Sequence, residues 1–425
     1  MATLTPSRPV WVSTTYFAEG LPYAIVVNLV LLYMTRIGLP VEALGRLNWL
    51  RLPWNLKFLW APAIDLRGTK RGWLVAMEAV LTVVLAAVAL LAMVGPPVVQ
   101  AGAAFDPDGP GAFALPIMIL LLALFAVAAA THDIAIDAYY LEAIQDQREQ
   151  AAYTGLRVLW YRIAVVFVKF VLVALVAVAG WAWGFGVAAV CLAGVYLFHR
   201  ATLPRVEKGL AQRPAGFVQN LLAWARAFTS WLDQPRIGLL LTFVITYKLG
   251  DEVLFSMNTP FLTKELHLAN DEVAVINGLA ATAATIIGSL ISAWAVKRFG
   301  LRRAIWPLTL AMNINILAYI WLAWERPMAW EDGALFTIGA VVFYENFASG
   351  LGNAVLVTWI MRTCKPQFKA AHYAVASALS AVGATFIGGF AGEIVASWDY
   401  LGLFWIAFLA ALPSMICMLL LRPPE

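Results

Sequence analysis

The chain has 425 residues, 62% of them hydrophobic and 13% charged, with a mean hydropathy of +0.79 and a formal net charge of +4. A soluble protein carries about a quarter charged residues, so an ordinary soluble domain is excluded and the composition is that of an all-α polytopic membrane protein. Cys191, Cys364 and Cys417 are scattered, in no pattern that suggests a metal site or a disulfide framework.

A helix needs about 20 apolar residues to cross a bilayer. On that ruler the chain offers twelve spans, near 10–35, 41–64, 72–95, 114–143, 152–179, 181–199, 237–263, 271–296, 303–324, 334–361, 367–397 and 400–421. The segment Met1 to Pro9 is short and polar, and no small-residue cleavage site follows the first apolar run. That run is therefore read as a retained helix and not as a signal peptide. Gly180 and its neighbouring tryptophans mark the turn between helices five and six.

The longest inner connection, 201–236, divides the chain into six-helix halves at 1–200 and 237–425. Within it Phe217, Leu221, Trp224, Phe228 and Trp231 recur at helical spacing. The pattern suits an amphipathic helix lying on the membrane surface, and equally a linker with some helix. Lysine and arginine set the orientation. Nineteen fall on the segments that are cytoplasmic if the N-terminus is inside, and four (Arg36, Arg46, Lys264, Arg326) on the opposite side. Both termini are thus predicted to be cytoplasmic. The positive net charge is a topology signal and does not point to nucleic acid.

Charge within a span costs roughly 2.5–3.5 kcal/mol per group on insertion scales, so each such group needs a partner, a wet cavity or a proton. Helix four places Asp133, Asp137 and Tyr140 on one face, and helix five brings Arg157, Arg162 and, deeper, Lys169. Asp137, Glu142 and Arg157 suit a clamp or gate, whereas Asp133 lies deeper. Two carboxylates a turn apart raise each other's proton affinity, which suits proton coupling. Helix one carries Tyr16, Glu19, Gly20, Pro22 and Tyr23, with Glu19 near mid-membrane and the helix loosened by Gly20 and Pro22.

Helix seven carries Lys248 about 18 Å from its inner end, with Asp251 and Glu252 at i+3 and i+4. Either acid can pair with Lys248 on the helix. The lysine can instead meet an anionic solute while an acid takes a proton. Helix two adds Arg51 and Lys57, and helix ten adds Tyr344, Glu345, Asn346 and Asn353. His372 is expected at the interface, and Glu78 and Glu393 near helix ends as snorkelling or capping residues. No P-loop, metal-ligand cluster or nucleophile elbow occurs in the sequence, so neither a primary pump nor an enzyme is expected, and no cofactor.

The inner loop after helix two runs Ala61-Pro62-Ala63-Ile64-Asp65-Leu66-Arg67-Gly68-Thr69-Lys70-Arg71, and its counterpart after helix eight runs Ala293 to Arg303. Both resemble, in degenerate form, the basic loop of the major facilitator superfamily, with Ala61 and Ala293 in place of a glycine and Lys297 in place of an aspartate. The resemblance implies a 6+6 fold with a solute cavity near the midplane, and a gating role for Asp65 and Arg67. Four stretches narrow it: Glu19-Gly20-Leu21-Pro22, Trp60-Ala61-Pro62 through Asp65, Asp133-Ile134-Ala135-Ile136-Asp137-Ala138-Tyr139, and Tyr247-Lys248-Leu249-Gly250-Asp251. In these the chain looks like the muropeptide-permease and acetyl-CoA-transporter branch. His132 stands where a glutamine is common, and the well-known muropeptide permeases carry two further helices.

The resemblance implies a monomeric, proton-driven importer in the inner membrane, taking an anionic or amphipathic solute such as an anhydro-muropeptide. A siderophore or acyl-CoA-type solute, or a non-transporting receptor, is the alternative. Solute-binding candidates are Tyr16, Tyr23, Arg51, Lys57, Lys169, Lys248, Tyr344 and Asn346. Proton-coupling candidates are Glu19, Asp133, Asp137, Asp251 and Glu345. Gate or salt-bridge candidates are Asp65, Arg67, Glu142, Arg157 and Arg162.

Overall fold

The computed structural model describes residues 7–61, 64, 68–99, 103–206, 229–364 and 369–421. Among them every regular element is helical and no strand occurs. Among the described residues nine helices are long and apolar enough to cross a membrane: α1 (Arg8–Arg36), α3 (Lys70–Val94), α4 (Ala114–Ala143), α5 (through Gly155–Ala179), α6 (Trp181–Thr202), α8 (Asn270–Phe299), α9 (Leu301–Glu325), α10 (Ala334–Thr363) and α12 (Ala391–Leu420). The helix α11 (Lys369–Gly388) holds a shorter apolar stretch, Val375–Gly388. In hydrocarbon a helix satisfies its own backbone polar groups. Large apolar side chains accordingly stand on outer surfaces, among them Leu120, Val178 and Phe336.

The sequence predicts one helix over 41–64, but the chain there runs in short turns. α2 (Val41–Arg46) gives way to a 3-10 turn at Leu47–Arg51, one α turn at Leu52–Leu56 and another 3-10 turn at Lys57–Leu59. Pro53 brings no donor and disfavours α geometry in the residue before it. The predicted helix over 237–263 is also broken. It divides into α7a (Ile237–Thr246) and α7b (Leu249–Ser256), with Tyr247 and Lys248 at the break, and breaks again at Met257. The predicted boundary between helices eleven and twelve lies near residue 398. α11 ends at Gly388 and α12 starts at Ala391, and at the predicted boundary Asp399, with a φ of 63°, leaves helical geometry, so that two helices meet there at a kink within α12. The predicted division at Gly180 is present, with that glycine at φ 89° between α5 and α6.

Four wide π turns occur among the described residues, one of them at Phe261–Glu265 beyond α7b. In α1 the turn at Ile25–Val30 follows Pro22, which removes one backbone donor. In α5 it spans Phe167–Leu172 around Lys169, and in α8 it spans Ala274–Ala280.

The chain forms two compact units. The first comprises Met1–Gly38 and Leu56–Asn220, and the second Leu39–Asn55 and Leu221–Glu425. In the first, α3 packs between α4 and α6, and α1 packs on α4 and α5. Its core gathers Trp11, Tyr16, Leu74, Ile136, Tyr139, Tyr140 and Leu203. In the second, α8 and α10 pack closely, α9 lies on α10, and α12 touches α2, α7a, α7b and α9.

The approach of α8 to α10 depends on glycine. A Cβ on Gly288 would stand 2.1 Å from the Phe347 carbonyl oxygen, and one on Gly350 would stand 2.4 Å from that of Thr285. Close backbone contact through small residues is a main way that helices associate in lipid.

The core of the second unit includes Trp231, Phe243, Tyr247, Trp359 and Met418. Trp231 is fully buried and not on a surface. Phe217, Leu221, Trp224 and Phe228, the rest of the predicted amphipathic helix, lie outside the described residues.

Candidate functional site

The polar groups buried among apolar helices form a cluster in each unit. In the first, α4 presents Asp133 and Asp137 one turn apart. Asp133 Oδ2 makes an ion pair with Lys57 Nζ, and Glu19 of α1 stands against Asp133. Trp60 Nε1 donates to Thr131 Oγ1 at 3.2 Å, which ties the turn beyond Lys57 to α4. Glu19 Oε2 is buried without a hydrogen-bond partner among the described residues. Two carboxyl groups thus face one ammonium. Like charges at such a separation cannot both ionise freely, so the group of three can hold a proton.

One turn further along α4, Asp137 Oδ1 accepts from Tyr16 at 2.8 Å and from Arg157 Nη2 at 2.7 Å. The Arg157 guanidinium lies 4.3 Å from the Tyr16 ring centre and 4.4 Å from that of Tyr140. Planar stacking on aromatic faces is a property of arginine that lysine lacks. The close packing of α1 on α5 that allows this is set at Gly20, whose added Cβ would lie 2.8 Å from the Tyr161 carbonyl oxygen.

In the second unit Glu252 bridges two cations. Its Oε2 lies 2.6 Å from Arg51 Nη2 and its Oε1 lies 3.1 Å from Lys248 Nζ. Lys248 therefore pairs with the i+4 acid. Asp251 turns inward, 3% exposed, and its Oδ2 accepts from Ser349 Oγ of α10 at 2.9 Å. Glu345 is fully buried beside it. Glu345 Oε2 accepts from Asn346 Nδ2 at 2.8 Å, and the Glu345 backbone carbonyl accepts from Asn315 Nδ2 at 3.1 Å. Asn353 Nδ2 donates to Ser349 Oγ at 3.3 Å. The break at Tyr247 and Lys248 seats the lysine where a helix is interrupted. Interrupted helices in transporters offer free backbone groups to ions and solutes.

The remaining candidates are placed as follows. Tyr23 and Lys169 are half-buried in the first unit and engaged with neighbours. Arg162 and Glu142 are half-buried, and the acid paired with Arg157 is Asp137, not Glu142. Tyr344 is 42% exposed, whereas Asn346 is buried with its amide turned onto Glu345 and the Val342 carbonyl. Asp65 and Arg67 lie outside the described residues.

His372 is fully buried, with Nε2 2.8 Å from Ser230 Oγ. One expectation is corrected. Glu78 is not a capping or snorkelling residue: it is fully buried two turns inside α3, between His132 and His199. Glu393 does lie in the first turn of α12, where it pairs with Arg46 at 2.9 Å.

Comparison with known proteins gives a consistent family. The sequence profile of the Major Facilitator Superfamily matches residues 55–346 and 251–425. An anhydromuropeptide permease of Escherichia coli K12 is 29% identical over 415 residues, covering 96% of this chain and 78% of that protein. An uncharacterized protein of Haemophilus influenzae is 27% identical over 418 residues, covering 96% and 93%. Among solved structures, a nucleoside transporter superposes with a TM-score of 0.70 at 11% identity, covering 97% of this chain and 100% of the other. A D-xylose-proton symporter superposes with a TM-score of 0.69 at 11% identity, covering 98% and 97%.

Proposed function

The chain belongs to the Major Facilitator Superfamily and is a membrane transporter, not an enzyme. From that premise we propose that it imports an anionic or amphipathic solute, such as an anhydro-muropeptide, together with protons, by alternating access. On this reading six spans lie on each side of the segment 201–236, both termini face the cytoplasm, and the protein sits in the inner membrane as a monomer.

The observation that carries the reading is the placement of ionisable groups inside apolar helices. Glu19 and Asp133 share Lys57, and Lys248 sits at a helix break with Glu252. A carboxylate freed from its cation by an arriving anionic solute must find a proton or another cation. That exchange links solute binding to proton binding. Arg51, Lys57 and Lys248 are the cations that meet the solute; Glu19, Asp133, Asp251 and Glu345 are the acids that carry the proton. The likeness to an anhydromuropeptide permease supports the solute class.

The test is uptake of labelled anhydro-muropeptide by proteoliposomes with an imposed pH gradient. Uptake is expected to rise when the interior is alkaline, and to be lost in Asp133→Asn and Lys248→Gln at normal membrane abundance. Uptake indifferent to the gradient removes the coupling. Uptake of a ferric siderophore or acyl-CoA in place of the muropeptide removes the solute assignment. Loss of protein together with uptake assigns these side chains to structure.

A further inference from the structure

The first unit contains a second buried ionisable cluster, set apart from the acids above. Glu78 of α3, His132 of α4 and His199 of α6 are all fully buried. Glu78 Oε1 lies 2.5 Å from His199 Nδ1 and 3.4 Å from His132 Nε2. His199 Nε2 lies 2.8 Å from Thr14 Oγ1 of α1.

The hydrogens can be counted. Thr14 has one hydroxyl hydrogen, and it faces the carbonyls of Val10 and Trp11 of its own helix, at 3.1 and 3.2 Å. With that hydrogen on a helix carbonyl, Thr14 Oγ1 accepts from His199 Nε2. A second hydrogen must lie between His199 Nδ1 and Glu78 Oε1, since two lone pairs at 2.5 Å would repel. The Glu78–His199 pair thus already holds two hydrogens and is neutral overall.

His132 is different. Neither ring nitrogen has a hydrogen-bond partner among the described residues, and neither does Glu78 Oε2. Such loose ends cost roughly 1–3 kcal/mol each when buried. A proton added to His132 turns the 3.4 Å approach of its Nε2 to Glu78 Oε1 into a charge-assisted bond.

We propose that Glu78, His132 and His199 form a proton-binding site within the first unit, whose added proton sits on His132 against the Glu78 carboxylate. Many of the other titratable groups on these helices have partners of their own. On α4, Asp133 faces Lys57, Asp137 faces Arg157, and Tyr139 and Tyr140 donate to the carbonyls of Pro204 and Gln150. On α1, Tyr16 faces Asp137 and Glu19 faces Asp133. On α3, Arg71 donates to the carbonyls of Arg200 and Leu203, and Lys70 to that of Ile64. On α6, Arg200 donates to Tyr196. Imidazole is the side chain whose ordinary titration falls between pH 5 and 8.

His132 directly precedes Asp133, so filling the site draws α4 toward α3 beside the Asp133–Lys57 pair. The site itself does not depend on the transport reading; only its effect on uptake does.

The chain has four histidines, so histidine-labelled full-length protein in lipid nanodiscs gives a resolvable NMR spectrum, assigned with His132→Gln and His199→Asn. His132 is expected to gain a proton on acidification without any solute. Glu78→Gln is expected to weaken its proton affinity about tenfold, through loss of the carboxylate. A His132 that stays neutral on acidification in the wild type overturns the site. So does a titration that Glu78→Gln leaves unmoved. Uptake at equal pH on both sides provides the second readout. The wild-type profile is expected to lose one inflection in His132→Gln. If no muropeptide is carried at all, the titration still decides the site.

Discussion

Glu252 is one anion held between two cations, and that asymmetry sets an order among substitutions. Glu252→Gln leaves Arg51 and Lys248 facing each other, all three groups being less than a quarter exposed. Removing one partner of a buried pair costs about 3–5 kcal/mol; with the residual exposure of these groups, about 2–4 kcal/mol is expected. Arg51→Gln removes the shorter contact but leaves the Lys248–Glu252 pair balanced, so about 1 kcal/mol is expected. The double variant Arg51→Gln with Glu252→Gln should recover part of the loss, since it relieves the repulsion.

A change of 1 kcal/mol moves the melting midpoint of a unit of this size by roughly 2–4 °C. Glu252→Gln should therefore melt several degrees below Arg51→Gln in detergent, followed by intrinsic tryptophan fluorescence. The reasoning is refuted if Arg51→Gln is the more harmful single change, or if the double variant is no better than Glu252→Gln.

Other outcomes follow from the same geometry. Gly288→Ala places a methyl group against the Phe347 carbonyl, so it should cost about 1–3 kcal/mol and lower membrane abundance; an unchanged melting curve would contradict the close approach of α8 and α10. Tyr16→Phe removes the hydroxyl that donates to Asp137 and should cost about 1 kcal/mol, read by the same melt, with Arg157 still bonded to the acid. Arg157→Lys keeps the charge but loses the stacking on Tyr16 and Tyr140, so it should melt below the wild type by about as much, and equality would count against the stacking.

The class of this protein was legible because composition alone separates a membrane bundle from a soluble domain. Helix α4 was legible to its boundaries, since the apolar run is long and interrupted only near one end. The break at Tyr247 and Lys248 was not. Neither residue breaks a helix by its own propensity, and the break is supported by tertiary partners, including Tyr247 bonded to Thr309 and to the Gly352 carbonyl.

Local pairing was half legible. Spacing offered Lys248 two acids and could not choose between them. Arg51, far away in sequence, engages Glu252, while Ser349 engages Asp251. Glu78 was misread because distance from a helix end says how deep a residue lies and not which side it faces. The one sequence signal for its cluster was His132, set directly before a membrane aspartate.

Proton and solute fluxes measured in the same vesicles test the central claim most directly. Proteoliposomes loaded with a pH-sensitive dye and given external anhydro-muropeptide should acidify inside in step with solute entry, and Asp133→Asn should abolish both signals. Solute that enters while the interior pH stays flat would contradict the account.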